Sequence, residues 1–291
     1  MANPILRQKL ERREFFVAPG LQDMIAATVA NEVGFDIVYG SGYWLTASAL
    51  GLPDAGLASY TQFLDRMGTL VQTSRGAVIA DADTGFGGLL NVAHTVRGYE
   101  RAGVTAIQIE DQEFPKKCGH TPNKRCVPAA DMVEKIQVAA EARQDKENFL
   151  IIARTDARAG EGLDAALRRL EAYDAAGADI LFLEAPYSEA EMRTACSHFG
   201  KPMMANMADG GKTPILPAAK LQEIGFAFAI YPAMTSLVAA AAMQQALQRL
   251  KTEGLSQAPG QPMFDFMHFC GLIGFQEVWD FEKRWGRGPD A

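Results

Sequence analysis

The sequence predicts an α/β protein of the (β/α)8 TIM-type barrel class. Short apolar or β-branched runs alternate with longer stretches of 3.6-residue periodicity, and the alternation keeps the same character from end to end. Eight of these runs are strand candidates, and their apolar character is typical of parallel strands that are buried on both faces. The predicted strands are residues 15–20, 35–41, 76–83, 106–111, 149–156, 179–185, 202–207 and 227–232.

Helices are predicted between the strands, and several of them end at a glycine that is followed at once by the next strand. The predicted helices include residues 21–33, 88–103, 128–143 and 163–177. A doubly wound dinucleotide-binding sheet is the competing fold. Its glycine fingerprint is not matched, because Gly85-Phe86-Gly87-Gly88 lacks the spacing of the third glycine.

We expect residues 1–250 to form the catalytic barrel and residues 251–291 to form a helical extension. A long helix is predicted at 234–251, and a linker rich in Pro and Gly follows it. The last predicted helical segment, at 263–285, is rich in Phe, Trp and Met. Apolar helices outside a barrel usually pack on another subunit, so we expect this extension to contact a neighbour.

Charge and composition exclude several classes of protein. The 28 Lys and Arg residues against 35 Asp and Glu give a net charge of −7 with no basic stripe, which argues against nucleic-acid binding. The four cysteines form no C-x-x-C pair, as expected for reduced thiols. No secretory signal and no membrane span are predicted, so we expect a cytoplasmic protein.

Carboxylates follow two neighbouring predicted strands, where barrels of this class carry their functional groups. The third strand ends at Asp81-Ala82-Asp83 and the fourth at Glu110. Asp81 and Asp83 share one side of a period-two strand, so they converge with Glu110 if that side faces the barrel axis. Three converging carboxylates need a cation between them, and we expect Mg²⁺. The alternative is that these acids only cap the next helices.

The loop after the fourth strand is basic. Its positive residues are Lys116, Lys117, Lys124 and Arg125, against one acid, Glu113. This charge predicts an anionic substrate beside the carboxylates. Cys118 lies in the same loop, where nearby cations favour the reactive thiolate, although an incidental surface cysteine is the alternative.

Three further polar residues are candidates for substrate binding or proton transfer. His120, in the basic loop, suits a proton carrier or a hydrogen-bond donor to a carboxylate. Arg154 ends the fifth strand and suits bidentate carboxylate binding, with an internal ion pair to Glu110 or Glu184 as the alternative. Asn206 ends the seventh strand and is either a polar anchor or part of a tight turn.

Taken together, these motifs resemble the isocitrate lyase and phosphoenolpyruvate mutase superfamily over nearly the whole chain. The resemblance rests on Tyr39-Gly40-Ser41-Gly42, Gly51-Leu52-Pro53-Asp54, Asp81-Ala82-Asp83-Thr84-Gly85-Phe86-Gly87, Ile109-Glu110-Asp111-Gln112, Lys116-Lys117-Cys118-Gly119-His120 and Ala153-Arg154-Thr155-Asp156. It implies a Mg²⁺-dependent barrel that handles enolates of 2-oxo acids, in homotetramers whose last helices swap between neighbours. The K-K-C-G-H loop marks the carbon–carbon bond lyases of this superfamily.

The resemblance also implies roles for individual residues. The metal, Mg²⁺ with Mn²⁺ as a substitute, is assigned to Asp81, Asp83 and Glu110, with Asp54 close by. The 2-oxo acid fragment is assigned to Ser41, Gly42 and Tyr43, and the remaining substrate-binding residues are Gly119, His120, Arg154, Glu184 and Asn206. Cys118 is the expected acid that protonates the departing enolate, and Tyr39 is a candidate for the base.

The expected activity is retro-aldol cleavage of a substituted malate or a related 2-hydroxy di- or tricarboxylate, such as dimethylmalate or 2-methylisocitrate. The products are a 2-oxo acid such as pyruvate and a carboxylic acid. Residues 206–214 resemble the dimethylmalate lyase, oxaloacetate hydrolase and petal-death group, and the bulky Tyr43-Trp44 pair implies a smaller substrate. Oxaloacetate hydrolysis, phosphonate mutation and a non-catalytic dicarboxylate-binding barrel are the alternatives.

Overall fold

Eight parallel strands form the barrel that the sequence predicts. The computed structural model describes residues 2–257, 260 and 262–286. The strands are β1 (Phe16–Leu21), β2 (Ile37–Gly40), β3 (Ala77–Asp81), β4 (Ala106–Glu110), β5 (Leu150–Thr155), β6 (Ile180–Leu183), β7 (Met204–Asn206) and β8 (Phe228–Tyr231). Each observed strand overlaps one predicted strand.

Helices connect the strands and cover the outside of the barrel. They are α1 (Ile5–Glu11), α2 (Met24–Val33), α3 (Gly42–Leu50), α4 (Tyr60–Thr73), α5 (Leu89–Arg101), α6 (Ala129–Ala142), α7 (Arg158–Glu161), α8 (Leu163–Ala175), α9 (Glu189–His198), α10 (Ala218–Ile224), α11 (Met234–Glu253), α12 (Phe266–Leu272) and α13 (Phe275–Trp285). Local signals fix several helix starts, such as the capping box between Ser59 and Gln62 at α4.

Strand order follows chain order around the barrel. Adjacent strands pair in parallel in the order β6-β5-β4-β3-β2-β1-β8-β7. The two ends of this sheet meet at a parallel bridge between Leu181 and Met203, and Leu181 N–H donates to the Pro202 carbonyl at 3.0 Å. The barrel is therefore nearly closed, and all the carboxyl ends of its strands open on one face.

The strands bury two separate apolar layers. One layer fills the space between strands and outer helices, and the other fills the barrel interior. The interior layer takes every second residue of a strand, as with Ala77 and Ile79 of β3 or Leu150 and Ile152 of β5. This period of two confirms that the inward side of each strand is set by its position in the sequence.

The N-terminal helix completes the interior layer. Leu6, on α1, has no exposed surface and belongs to the same cluster as the inward-facing residues of the strands. Ile5 and Leu10 pack against this cluster as partly buried residues. The helix thus anchors to the barrel core through its apolar side chains.

The C-terminal extension differs from the single predicted helical segment. It contains α12 and α13, and Gly274 between them has a φ of 91°, a left-handed conformation that favours glycine. Residues 258, 259, 261 and 287–291, which the predicted extension includes, lie outside the described residues. Among the described helices, none is long and apolar enough to cross a membrane.

We predict that Leu6→Ala lowers the free energy of unfolding by about 2–5 kcal/mol, because it leaves a cavity in the interior layer. Urea denaturation measures this change. Leu90→Ala is the matched control: Leu90 is 88% exposed, so its loss should change the free energy of unfolding by less than about 0.5 kcal/mol. Equal effects of the two substitutions would contradict the packing of α1.

Candidate active site

A cavity of about 400 Å³ opens at the carboxyl ends of the strands. Twelve of the fourteen predicted site residues line it: Tyr39, Ser41, Tyr43, Asp54, Asp81, Glu110, Cys118, Gly119, His120, Arg154, Glu184 and Asn206. Gly42 and Asp83, the other two, lie directly behind this lining, where both contact Asp81. The structure therefore brings the predicted residues together at one site.

The alternation of inward-facing and outward-facing residues along each strand explains this convergence. On six strands, the inward-facing positions that follow the interior apolar layer are polar or charged: Ser41, Asp81, Glu110, Arg154, Glu184 and Asn206. Glu110 follows the apolar Ala106 by four positions, with Gln108 between them, and the other five follow the layer by two. All six are buried, with exposed fractions of 1–9%. The same alternation that packs the barrel interior thus delivers charged groups to its open end.

Arg154 lies at the centre of an ion network. Its Nε donates to Asp156 Oδ2 at 2.8 Å and its Nη2 to Asp156 Oδ1 at 3.1 Å. It also lies 3.3 Å from carboxylate oxygens of both Glu110 and Glu184. The internal ion pair weighed as an alternative is therefore present, while the guanidinium still lines the cavity.

Lys116 forms a second buried ion cluster. Its ammonium group lies 2.7 Å from Asp83 Oδ1 and also pairs with Asp54, and its side chain is only 2% exposed. Burial alone would lower its pKa, but Asp83, Glu110 and the neighbouring acids outweigh burial and raise the pKa of Lys116 well above its ordinary value. The expectation that Lys116 adds free positive charge to the loop is wrong, because carboxylates neutralise it.

Two further charges of the basic loop are also paired. Lys124 Nζ lies 2.6 Å from Asp156 Oδ1, and Arg125 Nε lies 2.7 Å from Glu113 Oε2 at the surface. Three of the four positive residues of the loop are therefore paired, whereas Lys117 is exposed and lines the cavity. Sequence spacing does not reveal such pairs, since side-chain direction in a loop follows no period.

Carboxylates outnumber cations around the cavity by two to one. Buried acids are Asp54, Asp81, Asp83, Glu110, Asp156 and Glu184, and the buried cations are Lys116, Lys124 and Arg154. Burial raises the pKa of Asp81, raises that of Asp83 to about 7 and raises that of Glu110 well above its ordinary value. Removal from water therefore disfavours the ionised form of these carboxyl groups at the ends of β3 and β4, despite the nearby Lys116 and Arg154.

This donor set fits a hard divalent cation. Glu110 Oε1 is buried and has no hydrogen-bond partner, and Asp81 faces the same cavity. Within the described residues, no three Asp, Glu, His or Cys side chains converge as a ready-made metal cage. Mg²⁺ suits such a site, because it is commonly held by one or two carboxylates and keeps several waters.

Asp83 reaches this region by a different route from the predicted one. Strand β3 ends at Asp81, and Asp83 follows in a left-handed turn with a φ of 47°. Its backbone N–H donates to Asp81 Oδ1 at 3.0 Å, and the Gly42 N–H donates to Asp81 Oδ2 at 3.3 Å. These two donors fix the Asp81 carboxylate at the strand end.

Cys118 lies in the cavity wall with its thiol proton retained. Burial raises its pKa, and this effect outweighs the lowering by the His120 backbone and Arg154. The prediction that nearby cations favour the thiolate is therefore wrong. A thiol that holds its proton is suited to donate one.

Gly119 allows the Cys118 loop to lie directly on the ion network. A Cβ at this position would lie 2.3 Å from Arg154 Nη2 and 2.6 Å from Glu184 Cγ. Any larger residue would push the loop away from the strand ends. The glycine of the K-K-C-G-H motif is thus required by close approach.

Glu184 connects three of the predicted substrate-binding groups. Its Oε1 lies 3.1 Å from His120 Nε2, its Oε2 lies 3.3 Å from Arg154 Nη2, and Asn206 Nδ2 donates to Oε2 at 3.1 Å. Burial raises the pKa of Glu184, but Arg154 and His120 outweigh burial, so the net pKa is lowered. Glu184 is therefore ionised and orients the other three groups.

Tyr39 lies deeper in the barrel than the other predicted catalytic residues. Its hydroxyl donates to Gln108 Oε1 at 3.0 Å. Burial and the Asp81 carboxylate raise its pKa well above the ordinary value, while Arg154 and Lys116 oppose that rise. The phenol therefore keeps its proton in this arrangement.

Sequence reasoning missed two residues of the site. Asp156 binds Arg154 in a bidentate manner. It lies two residues after Arg154, and this spacing, which places residues on the same side of a strand, could have identified it. Gln108, the partner of Tyr39, lies two residues before Glu110 on the inward side of β4 and carries the same signal.

Comparison with known proteins agrees with this geometry. The family model for phosphoenolpyruvate phosphomutase matches residues 6–251. The chain is 42% identical to 2,3-dimethylmalate lyase from Eubacterium barkeri over 283 residues, which cover 97% of this chain and 98% of that protein. It is 43% identical to 2-methylisocitrate lyase from Halalkalibacterium halodurans over 277 residues, which cover 95% of this chain and 91% of that protein.

Solved structures share the fold over nearly the whole chain. Oxaloacetate acetylhydrolase in complex with the inhibitor 3,3-difluorooxalacetate has a TM-score of 0.91 and 31% identity, covering 98% of this chain and 97% of that one. Phosphonopyruvate hydrolase in complex with oxalate and Mg²⁺ has a TM-score of 0.87 and 29% identity, covering 99% and 100%. The chain belongs to the phosphoenolpyruvate mutase and isocitrate lyase superfamily.

Proposed function

We propose that this protein is a Mg²⁺-dependent carbon–carbon bond lyase that cleaves a substituted malate or a related 2-hydroxy di- or tricarboxylate. The observation that carries the proposal is the position of Cys118, whose thiol pKa is raised by burial, in the wall of a cavity that Arg154, Asp81 and Glu110 also line. The 42% identity to 2,3-dimethylmalate lyase supports the same class of substrate.

The excess of carboxylates assigns the metal end of the site. Asp81 and Glu110 face the cavity and would hold Mg²⁺. Asp54 also lines the cavity and pairs with Lys116, and Asp83, which pairs with the same lysine, lies behind the lining. When bound, the ion supplies positive charge that stabilises the oxygens of the 2-hydroxy acid and of the 2-oxo product. Ser41 and Tyr43, on the neighbouring strand end, complete the proposed binding set for this fragment.

The opposite end of the cavity is suited to a second carboxylate. Arg154, His120 and Asn206 present donors there, and Glu184 holds all three in place. A bound substrate carboxylate would accept hydrogen bonds from this group and from the backbone near Gly119. The substrate is thereby oriented with its cleavable bond between the two ends.

Proton transfer is assigned to residues between these ends. Cys118 donates its proton to the enolate carbon that forms when the bond breaks. The raised pKa of the Cys118 thiol favours the protonated form that this step needs. Tyr39 is the proposed base for the 2-hydroxyl group. Arg154 and Lys116 already oppose the rise in its pKa, and further positive charge nearby would favour the phenolate.

Bulky residues limit the size of the substrate. Tyr43 and Trp44 pack against each other with ring centroids 4.7 Å apart, and both line the cavity. Leu237 and Pro232 contribute apolar surface to the same cavity. We therefore favour a malate with small alkyl substituents over a tricarboxylate.

We predict that Cys118→Ser lowers kcat for cleavage of dimethylmalate by about 10²–10⁴-fold, the usual cost of losing a general acid. Substrate binding should change little, because Cys118 does not hold a carboxylate. Steady-state kinetics and calorimetric binding measure the two effects. Cys196→Ser, in a half-buried thiol outside the cavity, is the matched control and should keep normal turnover.

A substrate panel separates the remaining activities of the same site. The oxaloacetate acetylhydrolase structure supports oxaloacetate hydrolysis as the second candidate. Release of pyruvate, glyoxylate, oxalate and acetate from dimethylmalate, 2-methylisocitrate, oxaloacetate and phosphonopyruvate distinguishes lyase, hydrolase and mutase. Normal turnover of alkylmalates by the Cys118→Ser variant would exclude Cys118 as the acid.

We predict that chelation with EDTA abolishes turnover and that Mg²⁺ restores it, with Mn²⁺ as a weaker substitute. Glu110→Gln should also weaken Mg²⁺ binding in titration calorimetry, because it removes a carboxylate whose Oε1 lacks a partner. Glu113→Gln, in the exposed part of the following loop, should bind Mg²⁺ normally. Turnover that persists after complete chelation would overturn the proposed chemistry.

The proposed assembly is a homotetramer that covers the apolar face of the extension. Val278, Phe281 and Trp285 repeat along one side of α13 and are 47–64% exposed. α12 contacts α2 of its own chain, where His268 Nε2 lies 2.6 Å from Glu32 Oε1. A second copy of the chain would cover the exposed face of α13 if α12 and α13 were exchanged between copies.

We predict a tetramer by size-exclusion chromatography with light scattering, and we predict that Phe281→Asp shifts it to smaller species. A charge placed in an apolar interface loses its hydration without a partner. Lys283→Ala, on the exposed polar side of the same helix, should leave the tetramer intact. A wild-type protein that is monomeric at all concentrations would refute the assembly.

A further inference from the structure

Lys124 is buried where the Cys118 loop meets the ion network. Its side chain is 3% exposed, and Nζ lies 2.6 Å from Asp156 Oδ1. The same ammonium group donates a hydrogen bond to the backbone carbonyl of Gly119. One charged group therefore joins the Gly119 carbonyl to the carboxylate of Asp156, directly after β5.

Asp156 transmits this contact to the substrate side of the site. Its two oxygens accept from Nε and Nη2 of Arg154, and its Oδ1 also contacts Lys124. Asp111 Oδ1 accepts the Asp156 backbone N–H at 2.9 Å, which fixes the Asp156 main chain. Displacement of Lys124 would therefore affect both the loop and the guanidinium of Arg154.

The loop segment has little tolerance for displacement. Thr121 N–H and Oγ1 both donate to the Cys118 carbonyl, at 3.0 and 2.7 Å, so they hold the turn itself together. Gly119 approaches Arg154 so closely that no side chain fits there. The turn is thus a rigid unit, and Lys124 is a charged contact between this unit and β5.

Lys124 differs from its neighbour Arg125 in burial and not in charge. Arg125 is the next residue in the chain and is also positive, but its side chain is 81% exposed and pairs with the exposed Glu113. Such surface ion pairs contribute little to stability, whereas a buried ammonium group with two acceptors fixes its partners in place.

We propose that Lys124 is a positioning residue that holds the Cys118–His120 turn closed on Asp156 and thereby aligns Cys118 with Arg154. The inference rests on the proposed role of Cys118 as the proton donor. Its structural part, closure of the turn, is independent of that role. Loss of the ammonium group would release the turn, expose the thiol and leave Asp156 with Arg154 alone.

The test compares Lys124→Met with Arg125→Met in the full-length enzyme. For Lys124→Met, we expect kcat to fall by about 100-fold, the cost of misplacing a reacting group by about 1 Å. We expect alkylation of Cys118 by iodoacetamide, followed by mass spectrometry of its peptide, to accelerate at least tenfold. Arg125→Met should match the wild type in both measurements, and Lys124→Arg should restore most of the protection because it keeps the charge and the donors.

The outcomes separate the positioning role of Lys124 from the acid role of Cys118. An alkylation rate in Lys124→Met equal to that in Arg125→Met would overturn the inference, even if activity fell. Faster alkylation without restoration by Lys124→Arg would overturn the assignment to the charged contact. If Lys124→Met does not fold, Lys124→Gln carries the same comparison. Normal turnover in Cys118→Ser with fast alkylation in Lys124→Met would reject the acid role and retain the positioning role.

Discussion

The structure of the site depends on one electrostatic constraint: six carboxylates and three cations share a buried space at the end of the barrel. Ionised groups removed from water are stable only when opposite charge compensates them. The two lysines and Arg154 compensate part of the charge and fix the carboxylates that they touch. Burial raises the pKa of Glu110 despite Arg154 and Lys116, and this carboxylate end is the proposed site of the divalent cation.

The positions of the cations among the carboxylates divide the cavity into two chemically different ends. Arg154 and His120 hold Glu184 ionised, so positive and neutral donors face the cavity there. At the ends of β3 and β4, burial raises the pKa of Asp81 and Glu110. A substrate with an oxygen-rich 2-hydroxy acid group and a separate carboxylate matches this polarity. In the proposed function, this polarity would orient the substrate before any reaction begins.

Proton chemistry in this site depends on burial more than on neighbouring charge. Lys116 and Lys124 are paired with carboxylates, and burial raises the pKa of the Cys118 thiol. A buried thiol is a poor nucleophile at neutral pH but a competent proton source. Burial therefore favours the proposed role of Cys118 as a proton donor over the role of a nucleophile.

Repeating patterns in the sequence determined the barrel, the inward side of each strand and the residues at the strand ends. Asp81, Glu110, Arg154 and Glu184 follow from this periodicity, because a strand has a fixed period of two. The tertiary structure alone decided where the loop charges go. Lys116 and Lys124 turn inward while Arg125 turns outward, since a loop has no period and its side chains follow partners that are distant in the chain.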